Sequence, residues 1–347
     1  MAGGDRARRA RRGPAPATDS ERGSDSVRTT VIGAFPKISD QPGRQELRQA
    51  LHKQDRGELN DAELDRVQDA VTADAINELE AAGIDVINDG QIRWDDLLAP
   101  FATAWSGVHR GPLERFYDNN TYFRQPTIDG PLSSDGKTLV KAFAYARSIA
   151  THELKAAVAG PMTFSTLAID KHYRSLEDRV LAVADAIAAD VKGLGAAGAT
   201  LVDIEDPALV YLPQHIELAR EAYRRIAATG VPIAVQPYFF PADRILETLA
   251  SFPVAQIGID VRSRETTALR RLDIFKGKTV VLGVVDARNT RLETASELGK
   301  LVDDALKLVP SENLWLAPTT GLEYLPHDVA TKKLAALAEV ARGGVPA

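Results

Sequence analysis

Short apolar runs alternate with longer amphipathic stretches along most of this chain. From Thr29 onward, eight runs rich in Val, Ile, Leu and Ala are each followed by a segment with helical apolar spacing. The runs are TTVIG at 29 to 33, IDVIND at 84 to 89, KAAVAG at 155 to 160, TLVDIE at 200 to 205, PIAVQPY at 232 to 238, AQIGID at 255 to 260, TVVLGVVD at 279 to 286 and NLWLAP at 313 to 318. Because the runs are almost continuously apolar, we expect parallel strands that are covered on both faces.

The longest helical segments end at glycine, the residue that most often terminates a helix. These segments occupy residues 61 to 83, 176 to 198 and 213 to 230. Shorter helical segments follow at about 242 to 251, 263 to 273, 294 to 309 and 327 to 342. Eight strand and helix units in roughly 315 residues match a (β/α)8 barrel, which we predict for residues 29 to 347 as one α/β domain. A doubly wound open sheet is the alternative.

Two segments depart from the alternation. Residues 107 to 145 read as a hairpin excursion laid over the barrel mouth. Residues 1 to 28 are rich in Arg, Ser, Gly and Pro, so they cannot bury enough apolar surface to fold, and we expect a disordered tail. A nucleic-acid or targeting role for its arginines is conceivable, but a solvated tail or a misassigned start codon is the preferred interpretation.

Composition excludes several kinds of site and partner. The 347 residues include no cysteine, which excludes disulfides, thiolate zinc sites, iron–sulfur clusters and cysteine nucleophiles. The formal charge of −6 comes without an extended basic face, which argues against nucleic acid or an anionic membrane as partner. No stretch approaches the roughly 18 apolar residues of a membrane span, and no signal sequence begins the chain. We therefore expect a cytoplasmic protein with a small-molecule substrate.

In a (β/α)8 barrel the active site is built at the carboxyl ends of the strands. Those positions here are mostly acids, amides and hydroxyls, where a core would hold apolar side chains. They include Asp89, Glu205, Asp206, Gln236, Tyr238, Asp260, Asp286 and Thr319. Converging carboxylates could bind a cationic amino group, the guanidine-like edge of a pterin or a hard cation. Each alone could instead cap a helix or pair with Arg93, Arg262 or Arg288.

Familiar catalytic motifs are missing. No two histidines have the spacing of metal ligands, and His172, in the loop after the third run, is the histidine best placed to face the mouth. The chain contains no G-x-S-x-G elbow, no P-loop and no glycine-rich dinucleotide motif after a strand.

Six segments, in order from about Thr29 to Arg342, resemble the cobalamin-independent methionine synthase family. They are IGAFPKI at 32 to 38 with the GRQELRQAL helix that follows, DGQIRWDDLLAPF at 89 to 101, AGPMTF at 159 to 164, VDIEDPAL at 202 to 209, GVVDARN at 283 to 289 and LAPTTGLEYLP at 316 to 326. The resemblance implies the same (β/α)8 fold and a methyltransferase activity.

The chain departs from that family where the family binds zinc. The family's catalytic half holds zinc through His-x-Cys after strand five, Glu after strand six and Cys after strand eight, and the zinc binds homocysteine as a thiolate. The matching residues here are Gln236, Tyr238, Asp260 and Thr319. Ala34 stands where the family has a substrate-contacting Ser, and Gln91 stands for the Glu of its D-G-E segment. The four residues at the zinc positions offer one carboxylate and no soft ligand, so we expect no metal site and no bound zinc.

The resemblance leaves three functions open. The first is a methyltransferase with a 5-methyltetrahydrofolate-type co-substrate, no firmly bound cofactor, and an acceptor other than zinc-bound homocysteine. The second is the non-zinc, folate-binding barrel of a split methionine synthase, which would need a second, zinc-bearing barrel protein. The third is a lyase or decarboxylase, because fold does not fix function. A homo-oligomer is also conceivable.

For methyl transfer, positioning and a proton donor would supply most of the rate, because a tertiary amine leaves poorly unless it is protonated. We expect Glu205, Asp206 and Asp260 to be catalytic. The residues expected to bind substrate are Asp89, Gln91, Arg93, His172, Gln236, Tyr238, Asp286 and Thr319.

Overall fold

The structure is a computed structural model that describes residues 27 to 38, 45 to 117, 121 to 263 and 265 to 343. Its strands are β1 (Arg28–Thr29), β2 (Val86–Ile87), β3 (Ser106–Arg115), β4 (Tyr122–Ser133), β5 (Glu153–Leu154), β6 (Ala156–Ala159), β7 (Ile169–Asp170), β8 (Val202–Glu205), β9 (Ile233–Gln236), β10 (Gln256–Asp260), β11 (Thr279–Val285) and β12 (Leu314–Pro318). Its α-helices are α1 (Glu46–Asp55), α2 (Asp61–Ala81), α3 (Ala99–Ala104), α4 (Val140–Ile149), α5 (Pro161–Leu167), α6 (Leu176–Ala196), α7 (Ala208–Tyr211), α8 (Ile216–Ala227), α9 (Leu246–Ala250), α10 (Ala295–Leu306) and α11 (His327–Ala341). Short 3-10 helices cover Pro213–His215, Ala268–Phe275 and Ser311–Asn313.

The strands of the predicted runs pair in parallel. Seven of them form a curled sheet in the order β1-β12-β11-β10-β9-β8-β6. Strand β2 pairs in parallel with β5, which is separated from β6 by the single residue Lys155. Val86 of β2 also bridges Thr30, just after β1. Each of the eight predicted runs therefore contains a strand with a parallel neighbour, and the α/β class is confirmed.

Two apolar clusters cover the two faces of this sheet. The larger lies between the sheet and the helices, and the smaller is an inner cluster that includes Ala234 and Tyr238 of the β9 segment. Because side chains alternate along a strand, Gln236 shares the inner face with these two residues. Leu201 belongs to the same inner cluster, so the alternation also places Glu205, four residues later, on the inner face.

The long helices end as the sequence predicts. Gly83, Gly198 and Gly230 have φ of 82°, 98° and 77°, in the left-handed region that favours glycine. At Gly83 and Gly198 a Cβ would also collide with an arginine side chain, 2.0 Å and 2.1 Å away. Helices α2, α6 and α8 therefore end at glycine because the chain adopts a left-handed conformation there.

Two of the shorter helices are less regular than predicted. The segment expected at 263 to 273 is a 3-10 helix at Ala268–Phe275, interrupted at Arg271, where φ is −127°. The segment expected at 242 to 251 is reduced to the five residues of α9. Asp243 explains part of this difference, because it accepts hydrogen bonds from Thr266 and Thr267 and so ties the two loops together.

The predicted insertion contains an antiparallel hairpin of β3 and β4, and β4 also pairs in parallel with β7. Within the described ranges, no helix is long and apolar enough to cross a membrane. Of the predicted tail, residues 1 to 26 lie outside the described residues. Val27 is buried, and its N–H donates to the carbonyl of Ala341 at 3.1 Å.

Candidate active site

A cavity of about 1040 Å³ lies at the carboxyl ends of the strands. Strand-end residues that line it include Gly33, Gln91, Glu205, Tyr238, Arg288 and Thr320, which follow or end six different strands. Aromatic residues of the hairpin and of the loop after β9 form much of the remaining wall: Phe116, Tyr117, Tyr122, Phe123, Phe239 and Phe240. The volume is at the upper end of the range for small-molecule sites, which are typically about 300 to 1,000 Å³.

Glu205 is a buried carboxyl group that faces this cavity. It ends β8 and is 2% exposed. The amide of Gln91 donates to its Oε1, and the hydroxyl of Tyr238 donates to its Oε2 at 2.9 Å. Burial raises the pKa of Glu205 to about 8, although these two hydrogen bonds act in the opposite direction. At neutral pH the group therefore keeps its proton.

Backbone strain marks the same cavity. In the described parts of the chain, the non-glycine residues with positive φ are Gln91 at 50°, Tyr117 at 49° and Phe239 at 80°. They belong to three separate segments, yet all three line the cavity. Such conformations cost on the order of 1 to 3 kcal/mol each and cluster at functional sites. The strain is thus an indicator of function that is independent of the carboxylates.

The aromatic wall joins the hairpin to the strand ends. The ring of Phe116 lies 5.7 Å from Phe123 and 6.1 Å from Phe239, measured between centroids. Phe239 in turn packs edge to face on Tyr238 at 4.7 Å. Tyr117 packs against Tyr211 at 4.8 Å. The chain of contacts runs from the tip of the hairpin to the hydroxyl that binds Glu205.

Sequence reasoning missed several charged residues of the cavity lining, among them Lys37 and Glu323. The amine of Lys37 donates to the carbonyls of Gln91, at 3.0 Å, and Trp94, and burial lowers its pKa. Burial raises the pKa of Glu323 to about 7, and its buried Oε2 has no hydrogen-bond partner among the described residues. Both lie in loops several residues past a strand, inside IGAFPKI and TTGLEYLP, and those motifs were the available signal.

Three of the predicted residues, Gln91, Glu205 and Tyr238, line the cavity. Another three, Gln236, Asp260 and Thr319, are buried at the ends of β9, β10 and β12, with exposures of 1%, 7% and 3%. Burial raises the pKa of Asp260 to about 6, and its Oδ1 accepts from the backbone N–H of Arg262 at 2.8 Å. These three form an inner polar set next to the cavity lining.

The structure corrects the placement of Asp206. Its carboxylate accepts from the backbone and hydroxyl of Thr163, at 2.7 Å and 2.6 Å, and from Tyr223 at 3.4 Å. It therefore caps the start of α5 and does not line the cavity. The reason is the alternation of side chains, because Glu205 points inward and its neighbour points toward the helices.

Arg93 and His172 also lie elsewhere. The guanidinium of Arg93 binds Asp65 at 2.7 Å and Asp69 at 2.5 Å on α2. His172 is exposed and packs against the ring of Tyr173 at 4.9 Å. Neither lines the cavity, because local partners turn one side chain toward a helix and the other toward solvent.

Asp89 and Asp286 support loops and do not line the cavity wall. Oδ1 of Asp89 accepts from the backbone N–H of Gln91 at 2.9 Å, which helps to hold the strained turn at Gln91. Oδ1 of Asp286 accepts from the backbone N–H of Arg288 at 2.8 Å. Both carboxylates therefore position residues that do face the cavity.

The residues at the family's zinc positions do not fit zinc. The Tyr238 hydroxyl donates to Glu205, and Thr319 Oγ1 accepts from the backbone N–H of Ala287 at 3.2 Å. Gln236 is a neutral amide, which leaves Asp260 as the one charged donor of the four. In the described portion of the chain, no three His, Asp or Glu side chains form a group able to hold a metal ion. No chemical step is therefore assigned to zinc.

Comparison with known proteins gives a consistent result. Residues 27 to 343 match the family described as cobalamin-independent synthase, catalytic domain. The methionine synthase of Sulfurisphaera tokodaii is 28% identical over 311 residues, which are 88% of this chain and 89% of that protein. The methionine synthase of Saccharolobus solfataricus is 29% identical over 320 residues, 90% of this chain and 92% of that protein.

Solved structures show the same fold. A B12-independent methionine synthase from Shewanella sp. W3-18-1, in complex with selenomethionine, superposes with a TM-score of 0.79 at 22% identity, covering 91% of this chain and 97% of that one. A putative vitamin-B12 independent methionine synthase from Listeria monocytogenes gives 0.72 at 14% identity, covering 90% and 96%. By its fold and by the match over residues 27 to 343, the chain belongs to the cobalamin-independent methionine synthase family.

Proposed function

We propose that this protein is a methyltransferase that uses a 5-methyltetrahydrofolate-type donor and an acceptor other than zinc-bound homocysteine. The observation that carries the proposal is Glu205, a buried acid whose pKa is raised to about 8 by burial at the wall of an aromatic cavity. An N5-methyl amine is a poor leaving group until it is protonated. Glu205 keeps its proton at neutral pH and is the natural donor.

Asp260 is the general base of this reaction and accepts a proton from the methyl acceptor. Burial raises its pKa to about 6, so it is ionised at neutral pH while Glu205 is not. Two carboxyl groups whose environments separate their pKa values are the usual pattern of an acid and base pair. As the methyl group passes to the acceptor, the N5–CH3 bond breaks, N5 takes the proton of Glu205, and Asp260 takes the acceptor's proton.

The shape of the cavity suits a planar donor. Phe116, Phe123 and Phe239 offer ring faces and edges for a pterin, and about 1040 Å³ is enough for a drug-sized molecule. The relatives named methionine synthase match over about nine tenths of their own length, 89% and 92%, which supports making this proposal for a single barrel of this length.

We also infer that the curled sheet closes as a (β/α)8 barrel with the hairpin over its mouth. Strand β2 continues the sheet beyond β1 through Val86, and it pairs with β5 beside β6, where the sheet began. Hairpin residues Phe116 and Phe123 line the cavity together with the strand ends. Both observations support the closed arrangement.

The proposal is tested by donor binding followed by turnover. We expect 5-methyltetrahydrofolate to bind the full chain. Tetrahydrofolate, measured by mass spectrometry, should form with one member of an acceptor panel and not with homocysteine, which the panel includes as a control. Glu205→Gln should keep donor binding and lose turnover, whereas Glu153→Gln, at an exposed carboxylate at the opposite end of the strands, should change neither. Absence of donor binding, or full turnover by Glu205→Gln, would reject the proposal.

A further inference from the structure

Gln236 carries a buried amide without a partner. It ends β9 on the inner face of the sheet and is 1% exposed. Neither its Nε2 nor its Oε1 has a hydrogen-bond partner among the described residues. Leaving a buried polar group unpaired costs about 1 to 3 kcal/mol, so such a group calls for an explanation.

The neighbouring strand leaves room for this amide. A Cβ on Gly258 of β10 would lie 2.0 Å from Oε1 of Gln236, so the amide extends over the bare Cα of that glycine. Asp260 lies two residues further along the same face of β10. A Cβ on Gly283 would lie 3.1 Å from Cα of Thr319 and 3.4 Å from Cα of Asp260, which shows how closely these strand ends approach.

The unpaired amide adjoins the cavity. Gln236 is the register partner of Glu205, and Tyr238 follows two residues later on the same face. Both neighbours line the cavity. The amide therefore lies beside two residues of the cavity wall, and Asp260 lies on the same face of the next strand.

A primary amide offers one acceptor atom beside one donor group, and its best partner offers the reverse. Lactams and carboxamides have this arrangement, with an N–H beside a C=O. A carboxylate ligand would bring a second negative charge next to Asp260, and an apolar ligand would leave the amide unpaired. The chemistry of the pair therefore selects a neutral ligand with both functions.

We propose that Gln236 and Asp260 bind the methyl acceptor through a primary carboxamide group. This inference rests on the proposed function for the reaction itself. Gln236 pairs with the C=O and one N–H of the carboxamide, and Asp260 receives the proton of the second N–H as the N–CH3 bond forms. The methyl group comes from N5 of the donor, which takes the proton of Glu205.

The test uses fragment binding to the full chain, measured by calorimetry. The probes are 2-pyridone, whose N–H and C=O lie side by side as on one edge of a primary carboxamide, and 1-methyl-2-pyridone, which lacks the N–H. We expect 2-pyridone to bind more tightly than its methylated form, and Gln236→Leu to weaken 2-pyridone binding about tenfold. Gln256→Leu is the matched control, because Gln256 is also a buried amide, 7% exposed, two residues before Gly258 on β10. It should leave binding unchanged.

Two further measurements separate the possible outcomes. The melting temperature of Gln236→Leu without ligand should equal or exceed that of the wild type, because no protein hydrogen bond is lost. A clearly lower melting temperature for Gln236→Leu would mean that the amide binds a structural water, and it would contradict the proposal. Equal binding of both probes, or no binding by the wild type, would overturn the acceptor class. A separate titration with 5-methyltetrahydrofolate tests the proposed function. If the donor does not bind but 2-pyridone still binds more tightly than its methylated form, the proposed function fails and the carboxamide site stands.

Discussion

Two adjacent carboxylates show how far function depends on single residues. Glu205 faces the cavity, whereas Asp206 accepts hydrogen bonds at the start of α5. We predict that Asp206→Ala lowers the free energy of unfolding by about 1 to 3 kcal/mol, because buried donors on Thr163 lose their acceptor. Donor binding should persist in the folded fraction. Urea unfolding measures the stability, and titration with 5-methyltetrahydrofolate measures donor binding. A variant that is as stable as the wild type but does not bind the donor would show that Asp206 belongs to the binding site.

The raised pKa of Glu205 predicts a pH-dependent stability. The pKa rises from an ordinary value of 4.5 to about 8 on folding, so the folded state holds this proton more tightly. Its stabilising contribution is complete below pH 4.5 and is lost as pH rises through 8. Glu205→Gln cannot ionise. We therefore expect its melting temperature, relative to wild type, to be higher at pH 9 than at pH 5, and an identical difference at both would contradict the buried acid.

Among the elements, the hairpin of β3 and β4 supplies aromatic residues to the cavity wall. Phe116 contacts both Phe123 and Phe239, so its ring anchors the aromatic wall. We predict that Phe116→Ala weakens 5-methyltetrahydrofolate binding about tenfold or more through lost apolar and stacking contact. Leu113→Ala, on the same hairpin at a residue that is 61% exposed, should have no effect. Equal losses in the two variants would point to general disruption of the hairpin.

For the whole molecule, the donor set at the family's zinc positions predicts the metal content. Protein prepared without chelator should carry no stoichiometric zinc, and it should not methylate homocysteine when zinc is added. The reason is that Gln236, Tyr238 and Thr319 are neutral, and Asp260 alone cannot hold the ion. Metal analysis paired with a homocysteine assay provides the check. About one zinc per chain with zinc-dependent turnover would mean that the ligands lie elsewhere.

The site as a whole predicts a bell-shaped pH profile for turnover. Asp260 must be ionised and Glu205 protonated, and burial raises their pKa values to about 6 and about 8. The rate should fall below about pH 6 and above about pH 8, with apparent values that belong to the pair. Asp260→Asn should remove the acidic limb along with most of the activity. A rate that keeps rising above pH 9 would exclude Glu205 as the acid.

The sequence by itself determined the strand runs and the ends of the long helices. Parallel strands covered on both faces need continuous apolar runs, and a left-handed helix end favours glycine, so both leave local signals at residues such as Gly198. The strand-end rule also found Glu205 and Tyr238, because a carboxyl-terminal mouth follows directly from strand direction, and the family resemblance found Gln91.

Only the tertiary structure decided which polar residues meet. Lys37 and Glu323 reach the cavity because of the paths of their loops, which the spacing of apolar residues does not encode. Arg93 turns away because α2 presents two carboxylates to it. The strain at Tyr117 and the unpaired amide of Gln236 are likewise properties of packing. Local propensity sets the conformation of each segment, but contacts between segments distant in sequence set the chemistry of the site.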